Sequence, residues 1–208
     1  MKPETERRKG HAADLPEKAV VLALAQARAQ SNHAERNAAL ILISTTLGLR
    51  AGEIAQLLWK FVLDEHGKVG KFLNLPNEVA KWKSGASLPI NKSLQAALEG
   101  LWAVQKSKGS VDANAPIFLS QKGSGLSRQS VVDLFRLIWQ KAGVDASSHS
   151  GRRFFITRAA RNVSAVGGSL RDVMALARHK HLSTTQLYIA QNTKAQLALV
   201  EMVSRGIR

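Results

Sequence analysis

The sequence predicts a mainly α-helical domain that carries a small three-stranded antiparallel β-sheet. Over most of the chain, apolar residues recur at helical spacing, as at Val131, Phe135, Ile138 and Trp139, which is typical of helices with one buried face. Between residues 61 and 90 this period gives way to turn signals that alternate with short apolar runs, a pattern typical of strands. A chain of 208 residues with 45% hydrophobic content is expected to form one domain with a proper core.

Positive charge dominates the composition. Lys and Arg number 30 against 15 Asp and Glu, a formal net charge of +15 that is spread along the whole chain. Such an excess indicates a polyanionic partner, most often nucleic acid, and the alternative is a basic surface that only keeps the protein soluble. The absence of cysteine excludes disulfides and thiolate metal sites. No apolar run approaches the roughly 18 residues that span a membrane, and the first residues lack the apolar core of a signal peptide.

Two helices are predicted in the first quarter of the chain. Asp14 and Pro16 are typical of a helix start, and the first helix is expected to run to about Ala29. The second is expected over about 32–47. Its stretch 38–43 is almost continuously apolar, which predicts a buried helix.

The junction after the second helix carries the first candidate functional residue. Gly48 fits a left-handed helix end, and a short helix with an apolar face at Ile54 follows it. Arg50 therefore lies between two buried helices, where an arginine must be paired or must face a ligand. Glu53, three residues on, could orient it. A simple ion pair between Arg50 and Glu53 is the alternative.

The predicted sheet lies between residues 61 and 90. Its strands are expected before the turn at 64–67, over 69–75 and over 87–90. The segment 80–85, here called the hairpin tip, carries Lys81 and Lys83. Lysines at such tips are commonly only solvated, so the position alone does not establish a function.

Further helices are predicted after the sheet. Asn91 caps one helix and Ser127 begins another, with a short extended piece at 117–120 and a polar loop at 121–125 between them. A last helix is expected from Thr193. Its apolar residues have no later segment to cover them, so this face either packs on its own domain or docks on a partner; they are Leu197, Val200 and Val203.

Two histidine-bearing segments complete the set of candidates. His149 and Arg152 share a helix face, and Gly151 between them would let a ligand approach the backbone. Farther on, Ser183 and Gln186 have the pattern of a capping box, which predicts a short helix. Tyr188 would lie about one turn into that helix, and it is the only tyrosine of the chain. The alternatives are solvated arginines around a helix-start histidine, and a half-buried tyrosine whose hydroxyl is hydrogen-bonded.

Taken in order, these pieces resemble the tyrosine recombinase (phage integrase) family over about residues 10–195. The matching features are Leu-Gly-Leu-Arg at 47–50 with Glu53, a lysine in the hairpin before Pro89, His-x-x-Arg at 149–152, and His179 nine residues before Tyr188. Each piece alone is weak, but the ordered set with its spacings is specific. The resemblance implies the fold of a tyrosine recombinase catalytic domain.

The resemblance also implies a role for each residue. Arg50, Arg152 and His179 would bind the scissile phosphate, His149 and Lys81 would transfer protons, and Tyr188 would be the nucleophile. Glu53 would orient Arg50. The basic residues expected to contact DNA are Lys83, Lys122, Arg128, Arg153 and Lys180. No cofactor or metal is implied, although His179 and His181 leave a metal site as a remote alternative.

This chain departs from the family pattern in two places, and one assignment has two candidates. Arg178 stands where glycine is usual before the motif's second histidine, and Arg153 stands where histidine is common. Lys81 and Lys83 both lie in the hairpin, and Lys81 is preferred because its distance to Pro89 matches the family.

The expected function is that of a site-specific DNA recombinase. Residues 1–13 are expected to form a flexible basic arm, and 14–208 a catalytic domain similar in extent to the short recombinases that invert fimbrial promoter switches, without the N-terminal DNA-clamping domain. The expected partner is double-stranded DNA, bound by a homotetramer on paired sites whose C-terminal helices at 193–208 are exchanged between protomers. Without DNA the chain would be a monomer or weak oligomer, in the cytoplasm at the nucleoid and away from membranes. The alternatives are a type IB topoisomerase and a non-catalytic DNA-binding regulator.

Overall fold

The computed structural model describes residues 15–29, 33–109, 111–188, 197–198 and 200–202. Its helices are α1 (Glu17–Ala29), α2 (Ala34–Thr46), α3 (Ala51–Ile54), α4 (Lys92–Ser107), α5 (Arg128–Lys141), α6 (Ser150–Asn162), α7 (Leu170–Ala177) and α8 (Leu182–Gln186). Its strands are β1 (Phe72–Leu75) and β2 (Ala86–Pro89), and single 3₁₀ turns lie at Trp59–Phe61, Lys81–Lys83 and Val163–Val166. The predicted arm and the cap at Asp14 lie outside the described residues.

Helix α2 lies at the centre of the helical layer. It packs against α1, α4 and α6, so nearly all of its surface is covered. The residues from Ala38 to Ile43 are all buried, which confirms the helix predicted from their continuous apolar pattern. Gly48 follows with φ +61°, and a Cβ at that position would clash with the ring of Phe155. Glycine is therefore needed both for the left-handed turn and for the contact with α6.

Two tryptophans anchor the other side of the core. Trp59 is fully buried, and its ring centroid lies 4.6 Å from that of Trp102 on α4. The Trp59 indole donates to Gln105 Oε1 at 2.9 Å, and Gln105 in turn donates to the Ile117 carbonyl at 2.7 Å. These two hydrogen bonds satisfy buried polar groups and connect α4 to the segment at Ile117.

Within the described residues the sheet has two strands, so the prediction of three was wrong. Strands β1 and β2 pair antiparallel from Phe72 opposite Pro89 to Leu75 opposite Ala86. The expected first strand is reduced to one bridge between Leu63 and Val69. The 3₁₀ turn at Trp59–Phe61 ends just before it, and Asp64 Oδ1 then accepts from two backbone amides to close the next turn. Too few extended residues remain between these turns to form a strand.

Most predicted helix starts agree with the structure, and one does not. The side chains of Asn91 and Ser127 accept hydrogen bonds from the amides of Leu94 and Ser130, as capping residues do. The box at Ser183 is not formed, because the N-cap of α8 is His181, two residues earlier. Tyr188 therefore lies just past the end of α8 rather than within it.

A second, small apolar cluster lies apart from the main core. Ile156, Val173 and Ala177 are its buried members, and Tyr188 packs against it half-buried. The described residues 197–198 and 200–202 are helical and exposed, whereas the rest of the predicted C-terminal helix lies outside the described residues. Among the residues described, no helix is long and apolar enough to cross a membrane.

Candidate active site

Arg50 is held by Glu53 at the start of α3. Glu53 Oε2 accepts from the Arg50 amide and Glu53 Oε1 from Arg50 Nη1, both at 2.8 Å. The Glu53 side chain is 2% exposed and that of Arg50 is 21% exposed. The ion pair considered as the alternative reading of Arg50 is thus present, and part of the guanidinium still faces the outside. An ion pair and a ligand site are therefore compatible here.

Arg178 binds the same carboxylate from the other side. Its Nη2 lies 2.7 Å from Glu53 Oε2, and both side chains are 2% exposed. The residue ends α7 with φ +53°, in the left-handed region. That conformation explains why glycine fits this position without strain, whereas an L-residue there is disfavoured by about 1–2 kcal/mol. Here the buried ion pair with Glu53 offsets the strain. The sequence showed Arg178 only as a departure from the family pattern and did not reveal this contact.

Arg152 ties three segments together. Its guanidinium donates to the carbonyls of Gly48 at 2.6 Å and of Ala177 at 2.5 Å, so it joins α6 to the ends of α2 and α7. Burial lowers the pKa of Arg152, and the charges of Arg50 and Arg178 lower it further. Together these arginines, here called the arginine cluster, set three guanidiniums against the single carboxylate of Glu53. This excess of positive charge favours binding of an anion.

One guanidinium donor of this cluster is unused. The Nε atom of Arg178 is buried and has no hydrogen-bond partner among the described residues, and the same holds for Nε of Arg153, the residue after Arg152. Burying an unsatisfied donor is costly, and a buried charged donor more so. An anion that accepted hydrogen bonds from the cluster would relieve that cost.

His149 lies at the N-cap of α6, one turn before Arg152. Desolvation lowers the pKa of His149, followed by the charges of Arg152, Arg50, Arg128 and Lys81. The imidazole is therefore neutral at physiological pH and able to accept a proton. Gly151 was interpreted as an opening for a ligand, but it is buried, and a Cβ there would clash with Ser44 Oγ on α2. Its small size serves the packing of α6 on α2.

His179 and Tyr188 lie side by side. Their ring centroids are 5.8 Å apart and their planes are 26° from parallel. His179 Nδ1 lies 3.0 Å from the hydroxyl of Thr185, a buried residue of α8. Burial, and then the arginine cluster, lowers the pKa of His179 to about 4. An ionised Tyr188 would carry a negative charge that raises the pKa of Arg152. The phenol therefore lies within electrostatic range of that arginine.

The predicted DNA-contacting residues differ in exposure and position. Lys83, Arg128 and Lys180 are exposed, as is the candidate acid Lys81, whereas Arg153 is half-buried. The charges of Lys81 and Arg128 reach His149. A Cβ on Gly52 would lie 3.6 Å from Arg128 Cδ, so Arg128 lies against α3. Lys122 lies in a loop whose Leu119 carbonyl accepts from Arg36. That contact is in the first turn of α2, about 15 Å along the helix from its other end.

Among the described residues, no group of three or more His, Asp or Glu side chains is arranged to hold a metal ion. His181 is exposed at the N-cap of α8, whereas His179 is half-buried against Tyr188. The arrangement therefore concentrates guanidinium and imidazole donors around one phenol.

Comparison with known sequences gives a consistent result. The profile of the phage integrase family matches residues 15–195. A tyrosine recombinase XerC of Lactobacillus delbrueckii subsp. bulgaricus is 30% identical over 163 residues, which cover 74% of this chain and 50% of the relative. A tyrosine recombinase XerD of Listeria innocua is 29% identical over 157 residues, 74% of this chain and 49% of the relative. The chain thus spans about half the length of the curated relatives it matches.

Solved structures share the fold. The crystal structure of XerA recombinase superposes with a TM-score of 0.69 at 21% identity, covering 99% of this chain and 66% of that one. The Tn1549 transposon integrase, in complex with a circular intermediate DNA, gives a TM-score of 0.73 at 17% identity, over 95% of this chain and 68% of the other. XerH recombinase bound to its difH substrate gives 0.69 at 20% identity, over 90% and 53%.

Proposed function

The chain belongs to the phage integrase family, and we propose on that basis that it is a site-specific DNA recombinase that cuts and rejoins DNA through a covalent 3′-phosphotyrosine intermediate. The observation that supports this best is the position of Tyr188, whose ring lies against His179 and within electrostatic range of Arg152. A lone phenol beside a cluster of cations is suited to attack a phosphodiester. A protein that only bound DNA would have no use for that arrangement.

Charge stabilisation falls to Arg50, Arg152 and His179. A phosphodiester carries its negative charge on two non-bridging oxygens, and guanidiniums can grip both of them as charge builds in the transition state. Glu53 positions Arg50 and leaves part of its guanidinium exposed. The proposed role requires the tautomer of neutral His179 in which Nδ1 accepts from the Thr185 hydroxyl, 3.0 Å away, and Nε2–H donates to a phosphate oxygen.

Proton transfer falls to His149 and Lys81. An ordinary phenol has a pKa of about 10, so Tyr188 needs a base, and the lowered pKa of His149 keeps that imidazole neutral for the task. As Tyr188 Oη bonds to phosphorus, the bond from phosphorus to the 5′-oxygen breaks, and the leaving oxygen takes a proton from Lys81. The reverse sequence rejoins the strand. The phosphotyrosine keeps the energy of the broken bond, so religation requires no nucleotide cofactor.

The proposal extends to the partners of the chain. We infer that double-stranded DNA is bound by a homotetramer on paired sites, and that the chain acts at the nucleoid in the cytoplasm. Lys83, Arg128, Arg153 and Lys180 would contact the DNA backbone around the cleavage position, with Lys122 contacting it farther away. The exposed apolar residues of the C-terminal helix support its docking on a neighbouring protomer; they are Leu197, Val200 and Met202.

Covalent trapping tests the proposed chemistry. A library of duplexes with a nick beside the cleavage position loses the short 5′-hydroxyl fragment after attack, so the adduct cannot rejoin. We expect the wild-type chain to form an SDS-resistant adduct, and Tyr188→Phe to bind the same duplexes without forming one. An adduct from the Phe variant, or none from the wild-type chain on any duplex, would contradict the proposal.

The trapped DNA also distinguishes a recombinase from a topoisomerase and from a non-catalytic regulator. Sequencing the trapped DNA identifies the target site, and two copies of that site on one plasmid then distinguish the activities. A recombinase yields inverted or excised products, a type IB topoisomerase only relaxes supercoils, and a regulator yields neither.

A further inference from the structure

One aromatic side chain lies outside the core and has no role in the chemistry described above. Trp82 is 81% exposed, whereas Trp59 and Trp139 are fully buried and Trp102 is half-buried. Exposing so large an apolar surface is unfavourable, and tryptophan is the residue most enriched at binding hot spots. Its position on the hairpin tip therefore needs an explanation.

The backbone of the hairpin tip is strained, and hydrogen bonds stabilise its turn. Trp82 and Lys83 follow each other with φ of +64° and +53°, a conformation that bulky L-residues rarely adopt. Ser84 Oγ donates to the Lys81 carbonyl at 2.7 Å, and the Gly85 amide donates to Asn77 Oδ1 at 3.0 Å. These bonds fix the turn that holds the Trp82 ring outward. Backbone strain of this kind gathers at functional sites.

The surroundings of the ring suit a nucleic acid. Lys81 and Lys83 flank Trp82 in the sequence, and Lys81 Nζ lies 5.3 Å from its ring centroid. The charge of Lys81 also acts on His149, so the tip lies near the pocket that would hold the scissile phosphate. A flat apolar ring with an ammonium group against it, near the proposed phosphate site, matches a nucleobase next to that phosphate.

We propose that Trp82 stacks into the base step next to the scissile phosphate and so selects sites at which that step is easily unstacked. Apolar wedges that enter a base step kink the duplex there. Pyrimidine–purine steps such as TA are the easiest to open. The strained tip presents the ring ready for insertion, so little ordering is lost on binding. This inference rests on the proposed function, because it places the ring by reference to the phosphate that Tyr188 attacks.

The test uses the full chain and the duplex recovered by covalent trapping, made with either a TA or a GC step beside the cleavage position. We expect the wild-type chain to bind the TA duplex roughly tenfold more tightly than the GC duplex. Trp82→Ala should lose about tenfold in affinity on the TA duplex and show no preference between the two. Trp82→Phe should keep most of both, because a smaller ring still stacks.

Fluorescence gives a second measurement that does not depend on cleavage. DNA should protect the tryptophan emission of the wild-type chain from acrylamide quenching, and should change the quenching of Trp82→Phe very little. Phe72→Ala is the matched control, because Phe72 is a half-exposed aromatic at the other end of the same hairpin. It should bind both duplexes as the wild-type chain does.

Two results would overturn the proposal: a Trp82→Ala chain that keeps the wild-type affinity and step preference, or Trp82 emission that stays equally quenchable when DNA is bound. Trp82→Gly guards against an effect of misfolding, since glycine relieves the positive φ and should stabilise the fold while still weakening binding. Adduct formation by Trp82→Ala at saturating DNA distinguishes a failure of the stacking proposal from a failure of the proposed function. If the wild-type chain binds but forms no adduct, the proposed function fails, and the quenching measurement, made on the duplexes of the binding library, decides alone whether Trp82 stacks on DNA.

Discussion

At the scale of single residues, Arg178 shows how a backbone angle decides which side chain a site receives. The position requires a left-handed conformation, and this chain fills it with an arginine whose charge reaches a carboxylate 125 positions away in the sequence. Burial by itself would raise the pKa of Glu53, but Arg178, and then the amide and side chain of Arg50, outweigh burial and lower it. Glu53 is thus a shared anion that holds two arginines, rather than the partner of one.

Two substitutions separate the strain at this position from the ion pair. Both Arg178→Gly and Arg178→Ala should lower the free energy of unfolding, by about 3 kcal/mol, because a buried carboxylate loses a partner. Glycine should remain about 1–2 kcal/mol more stable than alanine, because only alanine keeps the unfavourable Cβ. Urea denaturation of the three chains measures both differences. Equal stability of the two variants would mean that the left-handed angle is not retained.

The pKa shifts of the two histidines predict the pH dependence of cleavage. A base must be neutral to act, and the pKa of His149 is lowered from 6.5, so its neutral form persists to lower pH. The pKa of His179, at about 4, is lower still. We therefore expect kcat/KM for adduct formation to fall on acidification with a midpoint below pH 6.5. His149→Asn should lower the rate by roughly 10²–10⁴-fold and remove this limb. A midpoint above 6.5 in the wild-type chain would argue against His149 as the base.

The sequence marked candidate residues for this site but not the side chains that support them. Arg50, Arg152 and Tyr188 were named because each stands in a short motif with fixed spacing, and their catalytic roles stay predictions. The contact of Arg178 with Glu53 and that of Thr185 with His179 depend on how α3, α7 and α8 meet in space. No local pattern carries that information.

At the scale of elements, helices were predicted better than strands for a physical reason. A helix satisfies its own backbone within a few residues, so caps such as Asn91 and Ser127 mark its start locally. A strand needs a partner at the correct register. The expected first strand failed because neighbouring turns left it only the pair Leu63 and Val69.

The hairpin carries Lys81, the proposed general acid, and sulfur substitution in the DNA tests that role. An alkoxide leaves poorly unless it is protonated, whereas a simple thiolate, with a conjugate-acid pKa of about 8.5, leaves without help. DNA with sulfur at the bridging 5′ position should therefore restore cleavage to Lys81→Ala. It should not rescue Arg50→Ala, whose defect of about 3 kcal/mol or more lies in charge stabilisation. The structure favours Lys81 because its charge, and not that of Lys83, is among those that lower the pKa of His149. Rescue of Lys83→Ala with Lys81→Ala left inactive would reverse the assignment.

At the scale of the whole molecule, the mainly helical fold agrees with the sequence, whereas the proposed assembly depends on surfaces that one chain cannot complete. The net charge of +15 makes the proposed binding to DNA a matter of counterion release.

This charge predicts a steep salt dependence. Affinity for DNA should fall linearly on a log–log plot between about 50 and 200 mM salt, with a slope of about −0.9 for each phosphate contacted. Lys83→Ala, on the tip, should reduce the magnitude of the slope by about 1. Lys141→Ala is the control, because Lys141 ends α5 about 20 Å from Arg128 at its start, and the slope should not change. Titrations by fluorescence anisotropy measure all three, and an affinity that does not vary with salt would exclude an electrostatic interface.

The small second cluster has a consequence for how the molecule opens. Hydrogen exchange divides proteins into cooperative units whose opening free energy follows their buried apolar contacts. Among the described residues, Ile156, Val173 and Ala177 are the buried members of that cluster, so we expect α7, α8 and Tyr188 to open at a lower free energy than the main core. Arginine bonds also fasten these segments to the rest, from Arg152 to the Ala177 carbonyl and from Arg178 to Glu53. In the proposed mechanism Arg152 also binds the phosphate, so engaging DNA and loosening the segment that carries the nucleophile would be thermodynamically linked.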